Sequence, residues 1–571
     1  MVTCKKKHKK MNRIMNNTMK KTRISHFTLF FAAGLMLASC AKDITETPSA
    51  PDDSAPEYTT ITLTATHPVM TEAGAEAQEI SGAAAVSTAS TVSTKTTLDE
   101  TTGSVRWAAG DKLKLVCEDG TDFSTEALTE ADLKDGGKTA TFKATVPAGK
   151  ALKWAVYPSD TETALTDGTF SVTVPQAQDG KFEHASIEAG EIGEDNSIAL
   201  KNVCALLKFT VAGANADAAK VFIGGNGAPF NGKAAISSEI LSASYTLATD
   251  VPDYQPNVEV SVSGPGTYYA AVLPAKTTGL TMQIYSADNT LLAENISSNV
   301  LDAPRKTIKN LGELRSTKFA NKRFVTPDGA GDGQGLSWEN AWSFQTLISK
   351  LQGTALTDHV IFISEGNIKP SAGIITLKDN TKFKIFGGYP TNLTGVVITD
   401  RDINRHATAF VGKDRNGEKD NARIFVYNTS ATGTETLFDG IGFNDTYQWV
   451  EDKQFDMYTG TCLLIGAAKK VYCVNCKFNN NYKVGNAIIR VGSTSNAAFE
   501  RCVFSNNTVT GDGLIRVYQN GKLTLEDCDF TENNKVSGAT SSSPYRICYA
   551  DNTADVTDEG GNKLADDQKL K

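Results

Sequence analysis

The sequence contains no apolar run long enough to cross a membrane, few prolines and few histidines. Its longest apolar stretch, residues 27–37, has about eleven residues, whereas a membrane-spanning helix needs about 20. The 17 prolines among 571 residues argue against a collagen-like chain, and the six histidines show no metal-ligand spacing. These shortages argue against membrane-spanning helices, a fibrous protein and a zinc site.

Negative charge is concentrated after residue 39. Residues 1–39 contain nine basic residues and no acidic one, so the remainder carries 48 basic against 65 acidic residues. A surface this acidic argues against nucleic acid as a partner, because phosphate binding needs a basic face. The composition, 40 % apolar and 21 % charged, is that of an ordinary folded protein, and its length suggests roughly three or four domains.

The amino terminus has the organisation of a signal peptide. Basic residues precede the apolar stretch, and the sequence Leu37-Ala-Ser-Cys40 follows it. This ending resembles the bacterial lipobox, in which the cysteine receives a diacylglycerol and cleavage occurs just before it. The resemblance implies a lipoprotein signal peptide over residues 1–39 and a partner in membrane lipid through acylated Cys40. A plain secretory signal that ends in a cysteine is the alternative. The proline-containing segment 40–58 would then be a tether.

Short alternating apolar runs recur through residues 59–316. Runs such as 141–146 and 207–211 have period two and are separated by Gly, Asp and Pro, which predicts half-buried strands joined by turns. The region is long for one β-sandwich, so we expect two in tandem. Their predicted bounds are 59–201 and 202–316, and a linker over 317–323 would follow.

Five short motifs in this region resemble, in order, those of the fimbrillin-like family of Gram-negative anaerobes. They are VRWAAGDKL (105–113), YP (157–158), VPQAQ (174–178), NVCALLKF (202–209) and GTYY with VLPA (266–275). The resemblance implies sandwiches that belong to a surface fimbria or to one of its accessory proteins. It also implies an outer-membrane, surface-exposed location and fimbrial subunits as partners.

A 26-residue repeat in the last third of the chain predicts a solenoid. A cysteine and a phenylalanine two residues apart recur at this period, and an asparagine follows each pair. The cysteine and phenylalanine side chains are predicted to stack in the core, and the asparagines to form a hydrogen-bonded ladder at a turn. The core stack is Cys476, Cys502, Cys528, Phe478, Phe504 and Phe530, and the ladder is Asn481, Asn507 and Asn533.

The repeat resembles the right-handed parallel β-helix of the pectate-lyase-like superfamily, and the handedness is implied by that resemblance alone. We expect the β-helix over residues 324–550, with five or six coils, and an acidic tail over 551–571. A helix that Ser343 caps should cover the amino-terminal end with one apolar face. The predicted fold class is therefore all-β, with tandem β-sandwiches followed by a short β-helix.

The superfamily includes lyases and glycoside hydrolases, so an enzyme must be considered. The candidate groups are Asp400, Arg401, Asp402, Asp439 and Asp445. They lie in one loop and one corner rather than in register on successive coils, as a lyase or a hydrolase would require. We interpret them as loop charges, and we predict no catalytic site, no metal site and no cofactor.

Two further groups have both a functional and a structural interpretation. Cys473 and Cys476 have the spacing of a redox or metal pair, but the 26-residue alignment of Cys476 favours a core stack that requires no disulfide. Asp328 and Asp332 have side chains that could bind Ca²⁺, and a turn is the preferred interpretation.

The sequence favours binding over catalysis. We predict a non-enzymatic, lipid-anchored surface protein, fimbria-associated or adhesin-like, that displays its β-helix for binding. The alternative is a surface accessory that binds or degrades polysaccharides, with host or environmental glycans as partners.

Overall fold

The computed structural model describes residues 57–73, 96–99, 101–243, 254–314, 317–353, 356–370, 374–412, 424–427, 433–448, 461–511, 513–537 and 544–571. The predicted signal peptide, Cys40 and nearly all of the predicted tether therefore lie outside the described residues. Within these ranges the helices are Phe182–Ala185, Ser238–Ser242 and Phe344–Gly353, with short 3-10 turns at Glu130–Asp132, Asp135–Gly137, Gly213–Asn215 and Trp338–Asn340. No helix in this part of the chain has the length and apolarity needed to span a bilayer.

The first sandwich packs two sheets around Trp107. One sheet contains, in order, Ser197–Ala199, Tyr58–Thr66, Thr139–Pro147 and Leu133–Lys134. The other contains Lys201–Asn202, Glu188–Glu191, Leu152–Tyr157, Lys114–Cys117 and Asp122–Ser124. Trp107 is buried, and its indole N–H donates to the Ala65 carbonyl at 3.2 Å. A separate hairpin joins Thr97–Asp99 to Ser104–Arg106.

The second sandwich also consists of two sheets. One contains, in order, Thr71–Ala73, Thr307–Leu314, Ala205–Val211 and Gly266–Val272. The other contains Ala177–Gln178, Asn257–Ser261, Ala218–Gly224, Ala275–Ser286 and Leu291–Ala303. Alternate residues of each strand, such as Phe209, Val221 and Ile284, fill the core between the sheets, as period-two patterning requires.

Strand pairs cross the predicted boundary at residue 202. Thr71–Ala73 joins the second sandwich through Thr307–Leu314, and a separate sheet contains Thr163–Thr166, Thr169–Val174 and Gly232–Ile236. A further apolar core, which includes Trp154 and Phe170, lies among these strands. The two sandwiches therefore share strands and core, and they form one β-rich region.

All described strand pairs after residue 320 are parallel and form a three-faced solenoid. Face 1 contains, in order, Trp342–Ser343, Asn321–Thr326, His359–Ser364, Lys382–Tyr389, Glu435–Asp439, Lys470–Val474, Asn496–Glu500, Lys522–Glu526 and Asp555–Gly560. Face 2 contains Gly366–Ile368, Thr408–Val411, Ile441–Asn444, Lys477–Asn479, Val503–Ser505 and Asp529–Glu532. Face 3 contains Ile375–Leu377, Phe425–Tyr427, Leu463–Ile465, Ile489–Val491, Ile515–Val517 and Cys548–Ala550.

Short strands at the corner between faces 2 and 3 complete the coils. They are Tyr447–Gln448, Tyr482–Lys483, Thr508–Val509 and Lys535–Val536. Faces 2 and 3 contain six strands each, so six coils are complete. Face 1 contains eight strands of five or more residues, which gives a height of about 34 Å at the spacing of parallel strands. The all-β prediction, with a β-helix after sandwiches, is confirmed, and the six complete coils agree with the predicted five or six.

Both ends of the β-helix are covered. At the first coil, the Thr346 amide donates to Ser343 Oγ at 3.0 Å, and the helix Phe344–Gly353 buries its apolar face in the core, as predicted. At the last coil, Asp555–Gly560 extends face 1, and Gln568–Lys569 pairs with Tyr545–Arg546. Leu564 and Leu570 pack against the end of the core. The segment expected as an acidic tail therefore forms the final strand and the cap.

Truncation of Phe504 tests the role of the core stack. Phe504→Ala should lower the free energy of unfolding by about 3–5 kcal/mol, because the side chain is fully buried between neighbouring coils. Urea denaturation followed by circular dichroism measures the change. Val503→Ala is the control, since Val503 is half-exposed on the outer side of the same strand, and it should cost under about 1 kcal/mol. Equal costs for the two variants would contradict a stacked core.

Candidate functional site

Residues 390–407 connect the face 1 strand Lys382–Tyr389 to the face 2 strand Thr408–Val411. Arg401 of this segment forms a buried ion pair beside the second sandwich. Arg401 Nη2 lies 2.8 Å from Asp439 Oδ1, and both side chains are 1 % exposed or less. Arg401 also donates through Nε to the Gly387 carbonyl at 2.8 Å, and Ser298 of the second sandwich donates to Asp439 Oδ2 at 2.5 Å. A charge pair in this position holds two coils and the sandwich together, and neither group faces solvent.

The neighbouring aspartates bind the second sandwich as well. Asp400 Oδ1 accepts from Asn257 Nδ2 at 2.6 Å, and Asp402 Oδ2 accepts from the Tyr254 hydroxyl at 3.2 Å. Burial raises the pKa of Asp400, because desolvation disfavours its charged form. Arg405 lies over the Tyr254 ring, with 4.3 Å between the guanidinium carbon and the ring centroid. Three of the five candidate catalytic residues thus contact the sandwich directly.

The same contact surface continues along the corner between faces 1 and 2. Asn475 Nδ2 donates to Asp439 Oδ1 at 3.0 Å and to the Thr278 carbonyl at 3.3 Å. One coil further on, Arg501 Nε donates to Asn475 Oδ1 at 3.1 Å, and its Nη2 donates to the Ser298 carbonyl. We call these contacts with the second sandwich and with one another the junction, and its β-helix residues are Asp400, Arg401, Asp402, Asp439, Asn475 and Arg501.

A buried glutamine closes the junction at its other end. Gln283 Nε2 donates to the Val396 carbonyl at 2.8 Å, and its Oε1 accepts from the Ile398 amide at 3.0 Å. In the segment predicted as a linker, the Lys322 ammonium lies 2.7 Å from Glu294 of the sandwich. These hydrogen bonds and the ion pair hold the second sandwich and the β-helix together within one compact unit.

The fifth candidate residue lies elsewhere. Asp445 sits at the corner after face 2, with a φ of +56°, and its Oδ1 accepts from Asn480 Nδ2 at 2.6 Å. It therefore cannot act with the junction residues. Asp332 Oδ1 accepts from the Gln334 amide at 2.9 Å, which is the geometry of a turn. The described residues contain no group of three or more His, Cys, Asp or Glu side chains arranged to hold a metal ion.

A shallow groove of about 400 Å³ borders the junction. Its polar lining includes Tyr254, Asp400, Asp402, Arg405 and His406. These groups already have polar partners: Arg405 Nε lies 3.7 Å from Asp402, His406 Nδ1 lies 3.1 Å from Glu365, and Asp400 accepts from Asn257. The groove therefore offers few unsatisfied groups to a ligand.

The stacked cysteines are buried and structural. Each thiol donates to a backbone carbonyl of the preceding coil: Cys476 to Phe438 at 3.4 Å, Cys502 to Cys473 at 3.3 Å and Cys528 to Phe499 at 3.3 Å. All described cysteines are free thiols. Burial raises the pKa of Cys473 and Cys502. For Cys476, desolvation is outweighed by hydrogen bonds with the Cys473 and Cys502 thiols, which lower its pKa to about 5. All three side chains are fully buried, so none of these sulfur atoms is open to a solvent-borne reactant.

The predicted phenylalanines stack in parallel within the core. The ring centroids of Phe478 and Phe504 are 4.7 Å apart, and those of Phe504 and Phe530 are 4.6 Å apart, with interplanar angles of 10° and 19°. Phe443 continues the column at 5.0 Å from Phe478. These spacings match the separation of parallel strands, so each ring fills one level of the core.

The asparagine ladder contains Asn534 in place of the predicted Asn533. Asn481 Nδ2 donates to Asn507 Oδ1 at 3.0 Å, and Asn507 Nδ2 donates to Asn534 Oδ1 at 2.9 Å. A bulge explains the shift: Val503 pairs with Asp529, 26 residues on, but Ser505 pairs with Glu532, 27 residues on. Asn533 instead lies on the outside with a φ of +50° and donates to Asn506 Oδ1 at 3.1 Å.

The outer side of face 3 presents arginines and tyrosines that the sequence analysis did not identify. Arg490 and Arg516 point outward in register on successive coils. Their guanidinium carbons lie 4.2 and 4.8 Å from the ring centroid of Tyr518, and Arg516 also lies 5.0 Å from that of Tyr549. The 26-residue repeat contained the signal, because these arginines lie between the aligned pairs Ile489/Ile515 and Val491/Val517.

Removal of one charge from the junction tests its contribution to stability. Asp439→Asn keeps the side-chain shape but leaves Arg401 as a buried charge without its anion, so the free energy of unfolding should fall by about 3–5 kcal/mol. Chemical denaturation of the chain from residue 41 onward measures the change. Arg405→Gln removes a half-exposed charge nearby and should cost under about 1 kcal/mol. An Asp439→Asn variant with an unchanged free energy of unfolding would show that the ion pair does not stabilise the junction.

A pair of neighbouring substitutions tests the register of the ladder. Asn534→Ala removes donors to the Phe504 and Phe530 carbonyls, so it should destabilise the chain by about 2–3 kcal/mol. Asn533→Gly should change stability by less than about 0.5 kcal/mol, because glycine adopts a positive φ readily. Thermal denaturation compares the two variants, and a larger loss for Asn533→Gly would restore the register predicted from the sequence.

Comparison with solved structures finds similar chains from Bacteroides. A candidate cell adhesion protein from Bacteroides ovatus is 11 % identical, with 37 % of this chain and 86 % of that chain covered and a TM-score of 0.25. Another from Bacteroides fragilis is also 11 % identical, with 45 % and 94 % covered and a TM-score of 0.22. These scores are too low to transfer fold or function. No curated protein sequence matches this chain.

A family model covers one third of the chain. Residues 369–554 match the model of the right-handed β-helix region. The match begins after the amino-terminal capping helix and ends just before the last strand of face 1. Together with the parallel ladders of the three faces, it identifies the carboxy-terminal part of this chain as a right-handed parallel β-helix.

Proposed function

We propose that this chain is a non-enzymatic, lipid-anchored protein of the cell surface, adhesin-like or fimbria-associated, whose sandwiches hold a β-helix out for binding. The observation that carries the proposal is the junction. Four of the five groups that a catalytic site on the β-helix would use, namely Asp400, Arg401, Asp402 and Asp439, are paired with each other or with the second sandwich. Their role is therefore to fix one part of the molecule on the other.

Rigid attachment supports a function in presentation. A binding surface at the end of a flexible connection loses orientation, whereas a surface on a fixed body keeps it and costs less entropy when a ligand binds. Here Gln283, Asp439 and Arg501 connect the β-helix to the sandwich through paired polar groups. The β-helix then moves with the sandwich as a unit.

The position of the first described strand favours an accessory or anchoring role over a polymerising one. Tyr58–Thr66 lies inside its sheet and pairs with strands on both sides. A chain that keeps this strand leaves no vacant position in that sheet for a strand from a neighbour. Association with fimbrial subunits would then use another surface. This inference rests on the fimbrillin-like resemblance of the sequence.

Glycan capture is the second candidate function. It is supported by the outer side of face 3, where a row of arginines and tyrosines is half-exposed. Degradation of a glycan has no such support, since four of the five candidate catalytic groups lie in the junction and Asp445 lies apart from them.

Substitution of the lipidation cysteine tests the anchored-display proposal. In cells that produce the full chain, Cys40→Ser should abolish labelling by a fatty-acid analogue and release the protein from the membrane fraction, because acyl chains supply the attachment. Protease treatment of intact cells should digest the unsubstituted protein, which reports its exposure. Cys4→Ser, in the region before the apolar stretch, is the control and should leave labelling and fractionation unchanged.

Two results would contradict the proposal. Retention of Cys40→Ser in the membrane fraction would exclude the lipid anchor. Release of unsaturated products from polygalacturonate or other uronate polymers by the purified chain would show a lyase in place of a display protein.

A further inference from the structure

The first sandwich exposes the outer side of one of its sheets. This sheet contains Tyr58–Thr66 and Thr139–Pro147, and its inner side fills the core around Trp107. The facing sheet is covered on both sides, because Trp154 on its far side stacks on Phe170 of the three-stranded sheet, with 5.2 Å between the ring centroids. Within the described residues, the sandwich therefore has a single open sheet face.

Threonines cover this open face. Alternate residues of Tyr58–Thr66 point away from the core, and their threonines are exposed. Threonines of the neighbouring strand oppose three of them in register, in the pairs Thr60/Thr145, Thr64/Thr141 and Thr66/Thr139. We call the outward residues of these two strands, together with Lys134 of the edge strand, the threonine face.

The four strands of this sheet contain no aspartate and no glutamate. Their only charged residues are Lys134 and Lys143, and both are exposed. The chain after residue 39 carries 65 acidic against 48 basic residues, so an open face without a carboxylate stands out. Asp132, beyond the edge strand, interacts with Lys143, but its carboxylate accepts from the Thr129 amide at 2.9 Å. The threonine face therefore presents cationic and hydroxyl groups.

The threonine face is also close in sequence to the proposed lipid anchor. Sixteen residues, 41–56, separate Cys40 from Glu57, and Tyr58–Thr66 begins at the next residue. A segment of this length spans at most about 60 Å when it is fully extended. An acylated Cys40 would thus confine the first sandwich to the neighbourhood of the membrane, where the charge of each of its surfaces affects how it turns.

We propose that the threonine face lies against the anionic headgroups of the membrane that holds acylated Cys40. This inference rests on the proposed lipid anchor and adds the orientation of the anchored chain. Anionic lipids attract lysines and repel carboxylates within about one Debye length, about 8 Å at physiological ionic strength. Threonine hydroxyls can donate to phosphate oxygens. Threonines alone would indicate only the strand preference of a β-branched residue, so the missing carboxylates carry the argument.

The distance of a fluorescent label from a bilayer tests this orientation. A hexahistidine tag before residue 41 attaches the chain to a nickel-chelating lipid in vesicles of phosphatidylcholine and phosphatidylglycerol, so acylation is not required. The donor dye is placed on Thr62→Cys in the threonine face or on Thr166→Cys, which is exposed in the three-stranded sheet. The described native cysteines are buried, and rhodamine-labelled lipid is the acceptor.

Energy transfer should be stronger from residue 62 than from residue 166. The three layered sheets of this region, about 10 Å apart, place the two labels about 20 Å from each other across the layers. The difference should shrink in vesicles of phosphatidylcholine alone, and it should also shrink at high salt, because screening weakens the attraction of the lysines.

Charge reversal separates the threonine face from the rest of the surface. Lys134→Glu combined with Lys143→Glu should abolish the difference between the two labels, because the face then repels the anionic lipid. Lys153→Glu combined with Lys233→Glu is the matched control, since both lysines are exposed outside the threonine face and the net charge changes equally. This control should keep the difference. Circular dichroism verifies that each variant is folded.

Several outcomes would overturn the proposal. They are equal transfer from the two labels, stronger transfer from residue 166, and an equal loss in both double variants. A dimer in sedimentation velocity that Lys143→Glu dissociates would assign the face to a second copy of the chain instead. None of these results affects Cys40 labelling in cells, so the orientation can fail while the anchor stands. Conversely, retention of Cys40→Ser in the membrane fraction removes the anchor whatever the vesicles show.

Discussion

The structure depends on side chains of successive coils that meet at the same level inside the β-helix. Phe443, Phe478, Phe504 and Phe530 lie 4.6 to 5.0 Å apart, which is the strand spacing, so a ring on one coil packs against rings on both neighbours. A long insertion is therefore accommodated at a corner, where it displaces no core residue, whereas the single extra residue before Glu532 forms a bulge within face 2. The length difference between the coils of Phe443 and Phe478 follows this rule: Leu463 lies fifteen positions after Gln448, but in the next coil Ile489 lies six positions after Lys483.

Polar groups of the interior follow the same vertical order. Thr446 bonds to Asn481, Asn481 to Asn507 and Asn507 to Asn534, each on the next coil. Asn534 donates back to the Phe504 and Phe530 carbonyls, so the side-chain amides of this column are all paired. The column ends on Tyr545 and Gln568, whose side chains bond to Asn534 and Phe530 carbonyls and to each other. An end built in this way closes the hydrogen-bond column and the apolar core together, without a helix.

The sequence predicted what depends on local spacing and missed what depends on distant contacts. The 26-residue period revealed the later coils, but Phe383 pairs with residues 24 positions earlier and 53 positions later, so the early coils show no period. One inserted residue moved the ladder from Asn533 to Asn534, and a single repeat cannot reveal such a bulge. The junction was invisible, because Asp439 meets Ser298 and Asp400 meets Asn257 across about 140 residues of chain. For this reason the sequence alone suggested that these aspartates were solvent-exposed loop charges.

The junction covers part of the β-helix and so limits which of its outer faces remain exposed for binding. On the early coils, the outer row of face 1 consists of Phe324, Phe362 and Phe386, which are buried with Ile296 and Phe319 of the sandwich side, and the row continues into Asp439. On face 2 the outward-facing residues of three successive coils are Lys477, Val503 and Asp529, so no single type of side chain repeats there. Face 3 repeats arginine on adjacent coils, an arrangement that costs repulsion unless an anion is near. Asp551 lies 3.5 Å from Arg516, yet the Nε atoms of both Arg490 and Arg516 are enclosed without a hydrogen-bond acceptor among the described residues, so face 3 is the part of the β-helix where cationic groups are least compensated.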